Sequence, residues 1–294
     1  MSLFLLARRP SRNRYDCVSE GSAAVVIRHY SSSFGLASRL LSEPVRTHIC
    51  NVYALVRVAD EIVDNPDPAL GHGPRATMLT WLHDDVRHAL RAGYSGNLVV
   101  HAFARTALAC GIGEELIDPF FASMRMDLDP TVHTPETFER YVYGSAEVVG
   151  LMCLRTFLSG QEAQDRSGDY ERLAPGARRL GAAFQKLNFL RDLADDHDTL
   201  GRSYFPGLGV DHFSDAERDR ILDDIADDLD AASAAIPALP PSSRRAVRVA
   251  HAIFEELGAR LRATPASEIR RTRVRVPDLA KARLVAVALR GGRS

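Results

Sequence analysis

Hydrophobic positions recur with a helical period along nearly the whole chain. The clearest stripe lies between residues 45 and 63, where apolar side chains follow one another in steps of three and four, as on the packed face of an α-helix. Pro44 precedes this stripe, where the first turn of a helix accepts proline. The same pattern predicts further helices at 17–30, 75–92, 97–110, 113–127, 135–159, 170–199, 214–235, 242–263 and 277–290.

Alternating strand patterns are scarce, and the best of them, residues 274–276, is too short to build a sheet. The Pro- and Gly-rich breaks are too short to serve as flexible linkers between domains. We therefore predict an all-α protein with one catalytic domain over residues 16–294, preceded by a basic N-terminal extension at 1–15.

Composition and charge narrow the class of protein. The chain is 46% hydrophobic and 26% charged with a net charge of −1, which is typical of a globular protein without general attraction for nucleic acid. The four cysteines are scattered and form no CxxC motif, as expected in a reducing compartment. Since no run reaches about 18 apolar residues, no membrane span is expected. These features favour a cytoplasmic protein.

Two aspartate pairs have the same spacing in stretches that are predicted to be helical: Asp60 with Asp64, and Asp192 with Asp196. Residues four apart are turned by about 40° and lie about 6 Å apart along a helix, so both carboxylates of a pair leave the same face. Like charges at this spacing repel each other. Each pair is either a solvated acidic face or one side of a site for a cation.

The neighbours of both pairs favour the cation site. Each pair continues a polar stripe beside a packed apolar face, and these stripes add Tyr53, Arg57, Gln185 and Asn188, with Arg191 next to Asp192. Carboxylate oxygens suit Mg²⁺, which completes its shell with water and substrate phosphate. A guanidinium group can bind two phosphate oxygens at once through two parallel hydrogen bonds. The sequence therefore predicts a metal-complexed diphosphate held between two helices.

Five segments resemble a known family, and their order and separation along the chain also agree with it. They are 30–34 (YSSSF), 57–64 (RVADEIVD), 141–150 (YVYGSAEVVG), 183–196 (AFQKLNFLRDLADD) and 201–206 (GRSYFP). From about residue 20 to 290 the chain resembles the squalene/phytoene synthase family of head-to-head prenyl synthases, and most of all its bacterial phytoene synthases. It departs from the family pattern at Glu147, at Lys186 and near His251, where many relatives carry a tyrosine.

The resemblance implies a single-domain isoprenoid synthase fold, a helical bundle around a central cavity. It implies a prenyltransferase that joins two geranylgeranyl diphosphates through a cyclopropylcarbinyl diphosphate to phytoene, in carotenoid biosynthesis. The implied cofactor is Mg²⁺, with Mn²⁺ as a substitute, and no redox cofactor is expected. The implied partner is a prenyl diphosphate, with no nucleic acid, and the apolar product suggests peripheral contact of the N-terminus with a membrane.

The resemblance also assigns roles to residues of this chain. The expected metal ligands are Asp60, Asp64, Asp192 and Asp196. Catalytic roles are expected for Tyr141, Arg57 and Arg191, and Phe34 should line the cavity. The expected diphosphate-binding residues are Ser31, Ser33, Tyr53, Arg57, Gln185, Asn188, Arg191, Arg202 and Tyr204. His251 is a candidate replacement for the missing tyrosine, and the arginines at 270–275 are expected to be surface charge.

Several alternatives stay open at the level of sequence. A squalene or dehydrosqualene synthase would use farnesyl diphosphate in the same site, and a non-catalytic family member would keep only the fold. A head-to-tail elongase or a cyclase would share the aspartate chemistry. Ser31 and Ser33 could serve only as a helix cap, and Phe34 and Tyr53 could be plain core residues.

Overall fold

The computed structural model describes residues 13–31, 33–65, 67, 69–129, 132–161, 163–198, 202–208 and 213–290. Within these residues the only β-structure is one isolated bridge, between Val132 and Ser203, so the predicted all-α class is confirmed. Most of the predicted N-terminal extension, residues 1–12, lies outside the described part. The helices are α1 (Arg14–Tyr30), α2 (Ser33–Ser38), α3 (Val45–Val63), α4 (His72–Ala92), α5 (Leu98–Cys110), α6 (Glu114–Met126), α7 (Pro135–Val142), α8 (Val148–Leu158), α9 (Ala163–Arg191), α10 (Leu193–Asp198), α11 (Asp215–Ala235), α12 (Pro241–Ala263), α13 (Ala266–Ile269) and α14 (Asp278–Arg290).

Helix α3 follows its predicted stripe closely. Val52, Ala59 and Val63 are almost fully buried, and they pack with α4, α5, α6 and α8 in one hydrophobic core. The hydrophobic period predicts neither α2 nor α13, because helices of one or two turns are too short to show it. The start of α2 is anticipated only by the possible helix cap at Ser31 and Ser33.

The predicted helix at 170–199 is wrong as a continuous element. The chain forms α9 up to Arg191, bends at Asp192 and continues as α10. The main-chain N–H of Asp192 still donates to the Asn188 carbonyl at 2.9 Å, and that of Asp196 donates to the Asp192 carbonyl, also at 2.9 Å. The i,i+4 hydrogen bonds therefore keep both aspartates in helical register through the bend.

The predicted helix at 135–159 contains an interruption. A π-helical turn at Tyr143–Glu147 separates α7 from α8, and it follows two residues after Tyr141. A Cβ added at Gly144 would lie 2.2 Å from the Pro119 carbonyl of α6, and one at Gly181 would lie 2.4 Å from the Ala146 carbonyl. The turn is thus in close contact with α6 and α9, at positions where only glycine fits. Single π-helical turns inside α-helices often occur at functional sites.

Helix α8 contacts both α3 and α9. Helix α9 also packs against α11 and α12 around a second hydrophobic core, whereas α3 packs against α1 and α5. Among the residues that the structure describes, no helix is long and apolar enough to cross a membrane.

Two departures from the family pattern are explained by ion pairs made by α9. Lys186 donates to Asp224 and Asp228 of α11 at 2.5 and 2.8 Å, and Asp228 is only 1% exposed. Glu147 of the π-helical turn accepts from Arg178 at 2.6 Å. At both positions, therefore, the charged side chain forms an ion pair with a neighbouring helical segment.

Replacing Asp228 with alanine should lower the free energy of unfolding by about 3 kcal/mol, because Lys186 and Arg179 would lose their shared buried partner. Urea denaturation followed by circular dichroism measures this loss. The matched change Asp227→Ala, at an exposed position of the same helix, should stay within about 0.5 kcal/mol. Equal losses in the two variants would contradict a stabilising role for the buried pair.

Candidate functional site

A cavity of about 580 Å³ lies between α3, α8, α9 and α12. The part of α9 that lines it is apolar from Leu173 to Phe184, a length of about 16 Å, and mostly polar from Gln185 onward. Helix α3 shows the same change, from Ile49 at the apolar part to Asp64 at the polar part. The cavity therefore combines an apolar chamber with a charged end.

Both aspartate pairs line this one cavity, although 132 positions separate them in the sequence. Burial raises the pKa of Asp60 to about 8, with a further contribution from the nearby Asp64. Burial, together with Asp192, raises the pKa of Asp196 to about 7. Among the described residues, neither Asp60 nor Asp196 has a side-chain hydrogen bond or ion pair. Ionisation of these two carboxylates is therefore costly in the protein alone, and a bound cation would favour it.

The other member of each pair is bound to arginine. Asp64 accepts from Arg202 at 2.6 Å, and Asp192 accepts from Arg191 and from Arg273. The described residues contain no group of three or more His, Cys, Asp or Glu side chains that could hold a metal ion by themselves. Such an open arrangement suits Mg²⁺ bound by one or two carboxylates together with substrate phosphate. The metal-binding role of the four aspartates stays a prediction.

The residues expected to bind diphosphate also line the cavity: Ser31, Ser33, Tyr53, Arg57, Gln185, Asn188, Arg191, Arg202 and Tyr204. Arg57 donates to Glu61, lies 4.4 Å above the ring of Tyr30 and keeps a buried Nε without an acceptor among the described residues. The Gln185 and Asn188 amides make no hydrogen bond within the described part. Donors on cavity-lining residues that have no protein acceptor are suited to an anionic ligand.

Ser31 combines the two functions that the sequence left open. Its hydroxyl accepts from the Phe34 main-chain N–H at 3.0 Å, which caps the start of α2, and the same side chain lines the cavity beside Tyr53. The cap is therefore present, and it does not remove Ser31 from the cavity wall.

Phe34 lies where predicted, at the cavity wall. Its ring is 5.6 Å from the rings of Phe184 and Phe254, which stack on each other at 3.8 Å. This aromatic group also lines the cavity. Aromatic faces attract cations without offering a nucleophile.

Asp127, which the sequence analysis missed, links several predicted residues. The carboxylate accepts from the Tyr141 hydroxyl at 2.7 Å and from the Tyr204 hydroxyl at 3.1 Å, and the main-chain carbonyl accepts from Arg202 at 2.8 Å. Asp127 lies at the C-terminal cap of α6, where the helix dipole disfavours a carboxylate. That unfavourable position was the signal available in the sequence.

Two expectations about the C-terminal part concern Arg273 and His251. The Arg273 side chain is exposed, as expected of surface charge, but it also lines the cavity, where its guanidinium lies 2.7 Å from Asp192. His251 does not replace the missing tyrosine, since its Nε2 bonds to the buried Leu229 carbonyl at 3.0 Å, away from the cavity. A basic run gives no sign of which of its arginines will lie beside the cavity.

Comparisons with known proteins identify the family and the fold. The sequence model of the squalene/phytoene synthase family matches residues 27–280. The chain is 27% identical to a phytoene synthase of Pseudescherichia vulneris, over 81% of this chain and 80% of that one. It is also 27% identical to a bifunctional lycopene cyclase/phytoene synthase of Phaeosphaeria nodorum, over 82% of this chain but only 46% of that protein. The fold is similar to that of a dehydrosqualene synthase crystallised with a ligand, with a TM-score of 0.75, 18% identity and coverage of 94% of this chain and 97% of that one.

Proposed function

The chain belongs to the squalene/phytoene synthase family, and we propose that it is a phytoene synthase. It joins two geranylgeranyl diphosphates head to head, through a cyclopropylcarbinyl diphosphate, to phytoene for carotenoid biosynthesis. The observation that supports this proposal most is one cavity with both aspartate pairs at its charged end and an apolar chamber beyond. The named relatives support the twenty-carbon substrate.

The charged end is suited to magnesium. Asp60 and Asp64 on one side, and Asp192 and Asp196 on the other, would hold Mg²⁺. Their carboxylate oxygens are the ligands that Mg²⁺ prefers. Burial disfavours the ionised forms of Asp60 and Asp196 and so raises their pKa values, and a cation held between the pairs would compensate that cost. When bound, the metal neutralises the charge that develops on a departing diphosphate.

The protein's own residues perform the remaining steps. Arg57 and Arg191 bind diphosphate oxygens and stabilise the leaving group. Gln185 and Asn188 orient it through their amide N–H groups. The apolar chamber excludes water, which would otherwise capture the allylic cation. The aromatic group at Phe34 stabilises positive charge along the path of the second prenyl chain.

Incubation of the purified protein with Mg²⁺ and either geranylgeranyl or farnesyl diphosphate tests this proposal. Extraction and mass spectrometry should find phytoene as the main hydrocarbon from the twenty-carbon substrate, without added NADPH. Chelation of the metal with EDTA should stop both product formation and diphosphate release, and added Mg²⁺ should restore them. Turnover of farnesyl diphosphate alone would instead assign a thirty-carbon product, and no turnover of either would indicate a non-catalytic relative.

A further inference from the structure

The most developed polar group that the proposed function leaves unexplained is centred on Asp127. It takes residues from three separate parts of the chain: the end of α6, the end of α7 and the segment at 202–204. Asp127 and Tyr141 are 7% and 2% exposed, and both line the cavity. A buried carboxylate is costly unless a role or a partner compensates for it.

The hydrogen bonds in this group have a fixed direction. A carboxylate only accepts hydrogen bonds, so both tyrosine hydroxyls donate to Asp127, Tyr141 at 2.7 Å and Tyr204 at 3.1 Å. The hydroxyl hydrogen of Tyr141 is therefore directed to the carboxylate, and the phenol oxygen carries the added electron density. Tyr204 also accepts from Arg202 at 3.3 Å, which leaves Tyr141 as the better candidate to receive a proton.

We propose that Asp127 is the positioning residue that makes Tyr141 a proton acceptor and takes over the proton that Tyr141 would otherwise have to keep. The inference rests on the proposed function, because formation of phytoene removes protons from carbon. A carboxylate at hydrogen-bond distance lets the phenol accept a proton without becoming a doubly protonated, cationic oxygen (ArOH₂⁺). Asp127 itself acts only through Tyr141.

The transfer balances in atoms and electrons. A C–H bond next to the cationic carbon breaks, and its electron pair becomes the π bond of the new carbon–carbon double bond in the neutral hydrocarbon. That proton binds to Oη of Tyr141 while the original Tyr141 hydroxyl proton moves to Oδ2 of Asp127. The neutral Asp127 then gives up its proton to the released diphosphate or to water when the product leaves.

The surroundings of Asp127 are compatible with both its ionised and its protonated form. Burial raises the pKa of Asp127 to about 6, although the nearby Arg202 opposes this shift, so the carboxylate is ionised at neutral pH and still accepts a proton more readily than an exposed aspartate. His133 stacks on the Tyr204 ring at 5.9 Å between centroids. Burial lowers the pKa of His133, so it stays neutral and adds no competing charge.

The test separates cation formation from proton loss. The full-length protein with Mg²⁺ and geranylgeranyl diphosphate is assayed for diphosphate release and, in the same samples, for hydrocarbon and prenyl alcohols. Asp127→Asn keeps an oxygen that accepts from Tyr141 and keeps the main-chain carbonyl that binds Arg202, but its amide cannot take a proton. The fraction of released diphosphate recovered as hydrocarbon should fall at least about tenfold, with alcohols replacing it, because a general base typically contributes 10²- to 10⁴-fold.

Tyr141→Phe should lower the same fraction to a similar extent, and the double variant should be no more than about twofold worse than either single change, because the two residues act in sequence. Asp228→Asn removes an equally buried carboxylate outside the cavity and should leave the fraction unchanged. If Asp127→Asn does not fold, Asp127→Ser takes its place, because a serine hydroxyl can likewise accept a hydrogen bond from Tyr141 but cannot take over its proton.

An unchanged hydrocarbon fraction in Asp127→Asn or in Tyr141→Phe would overturn the relay while leaving the proposed function intact. The relay would also be wrong if diphosphate release and hydrocarbon fell together at a constant ratio, or if the two single effects multiplied in the double variant. A wild-type protein that formed no hydrocarbon would instead refute the proposed function, and the relay with it.

Discussion

Replacing Asp60 with asparagine is expected to reduce diphosphate release by about 100- to 1000-fold and, at pH 8, to raise the thermal midpoint of the metal-free protein by about 2–4 °C. The loss of activity follows from removal of a carboxylate that would hold the metal. The gain in stability follows because Asp60 is buried beside Asp64 and is costly to ionise.

The pH dependence of the metal-free protein has a definite sign. The pKa of an unfolded aspartate is near 3.9, whereas burial raises the pKa of Asp60 to about 8 and that of Asp196 to about 7. The folded state therefore binds these protons more tightly than the unfolded state. The resulting stability is complete below about pH 4 and is lost as the pH rises through 7 and 8. Added Mg²⁺ should recover part of that loss by binding the ionised carboxylates.

Differential scanning fluorimetry between pH 5 and pH 9, with EDTA or with Mg²⁺, measures these effects. Asp230→Asn makes the same chemical change at an exposed position of α11 and should alter neither the midpoint nor the response to metal. A metal-free Asp60→Asn protein that melts at or below the wild-type temperature at pH 8 would show that Asp60 does not carry the buried charge inferred here.

Replacing Arg202 with alanine is expected to lower the free energy of unfolding by about 3–5 kcal/mol and to reduce activity at least about 100-fold. Arg202 is 7% exposed and donates to Asp64 and to the main-chain carbonyls of Val63 and Asp127. Its removal leaves buried carboxylates and carbonyls without their donor. It also detaches the segment at 202–204 from α3 and α6. Urea denaturation and the diphosphate-release assay measure the two losses.

Arg202→Lys is the matched variant. It keeps the charge, but its ammonium group lacks the planar guanidinium that donates to one carboxylate and two carbonyls at once. Its stability should therefore lie between that of the wild type and that of the alanine variant. Arg275→Ala, at an exposed position, should be nearly neutral. A lysine variant as stable as the wild type would mean that only the charge matters and that the guanidinium geometry does not.

The sequence predicted most of the long helices and the residues that line the cavity, for a physical reason. A helix of several turns that packs one face repeats its apolar residues every three or four positions, and side chains on the adjacent stripe, such as Tyr53, Arg57 and Asp60, must then face another surface. The same reasoning failed for α2 and α13, which are too short to show a hydrophobic period. It also failed for the bend at Asp192, because the i,i+4 hydrogen bonds continue through the bend and the spacing of the residues does not change there.

By itself, the sequence determined the all-α class, the two aspartate pairs and the residues of their stripes, because these depend on spacing along single helices. Only the tertiary structure decided which groups share hydrogen bonds across helices. It placed Arg273 beside Asp192 and turned His251 away from the cavity. It also placed Asp127 against Tyr141 and Tyr204, 14 and 77 positions away in the chain. Such contacts depend on how the helices cross, through close approaches such as those at Gly144 and Gly181, and no local pattern encodes the partner on the other side.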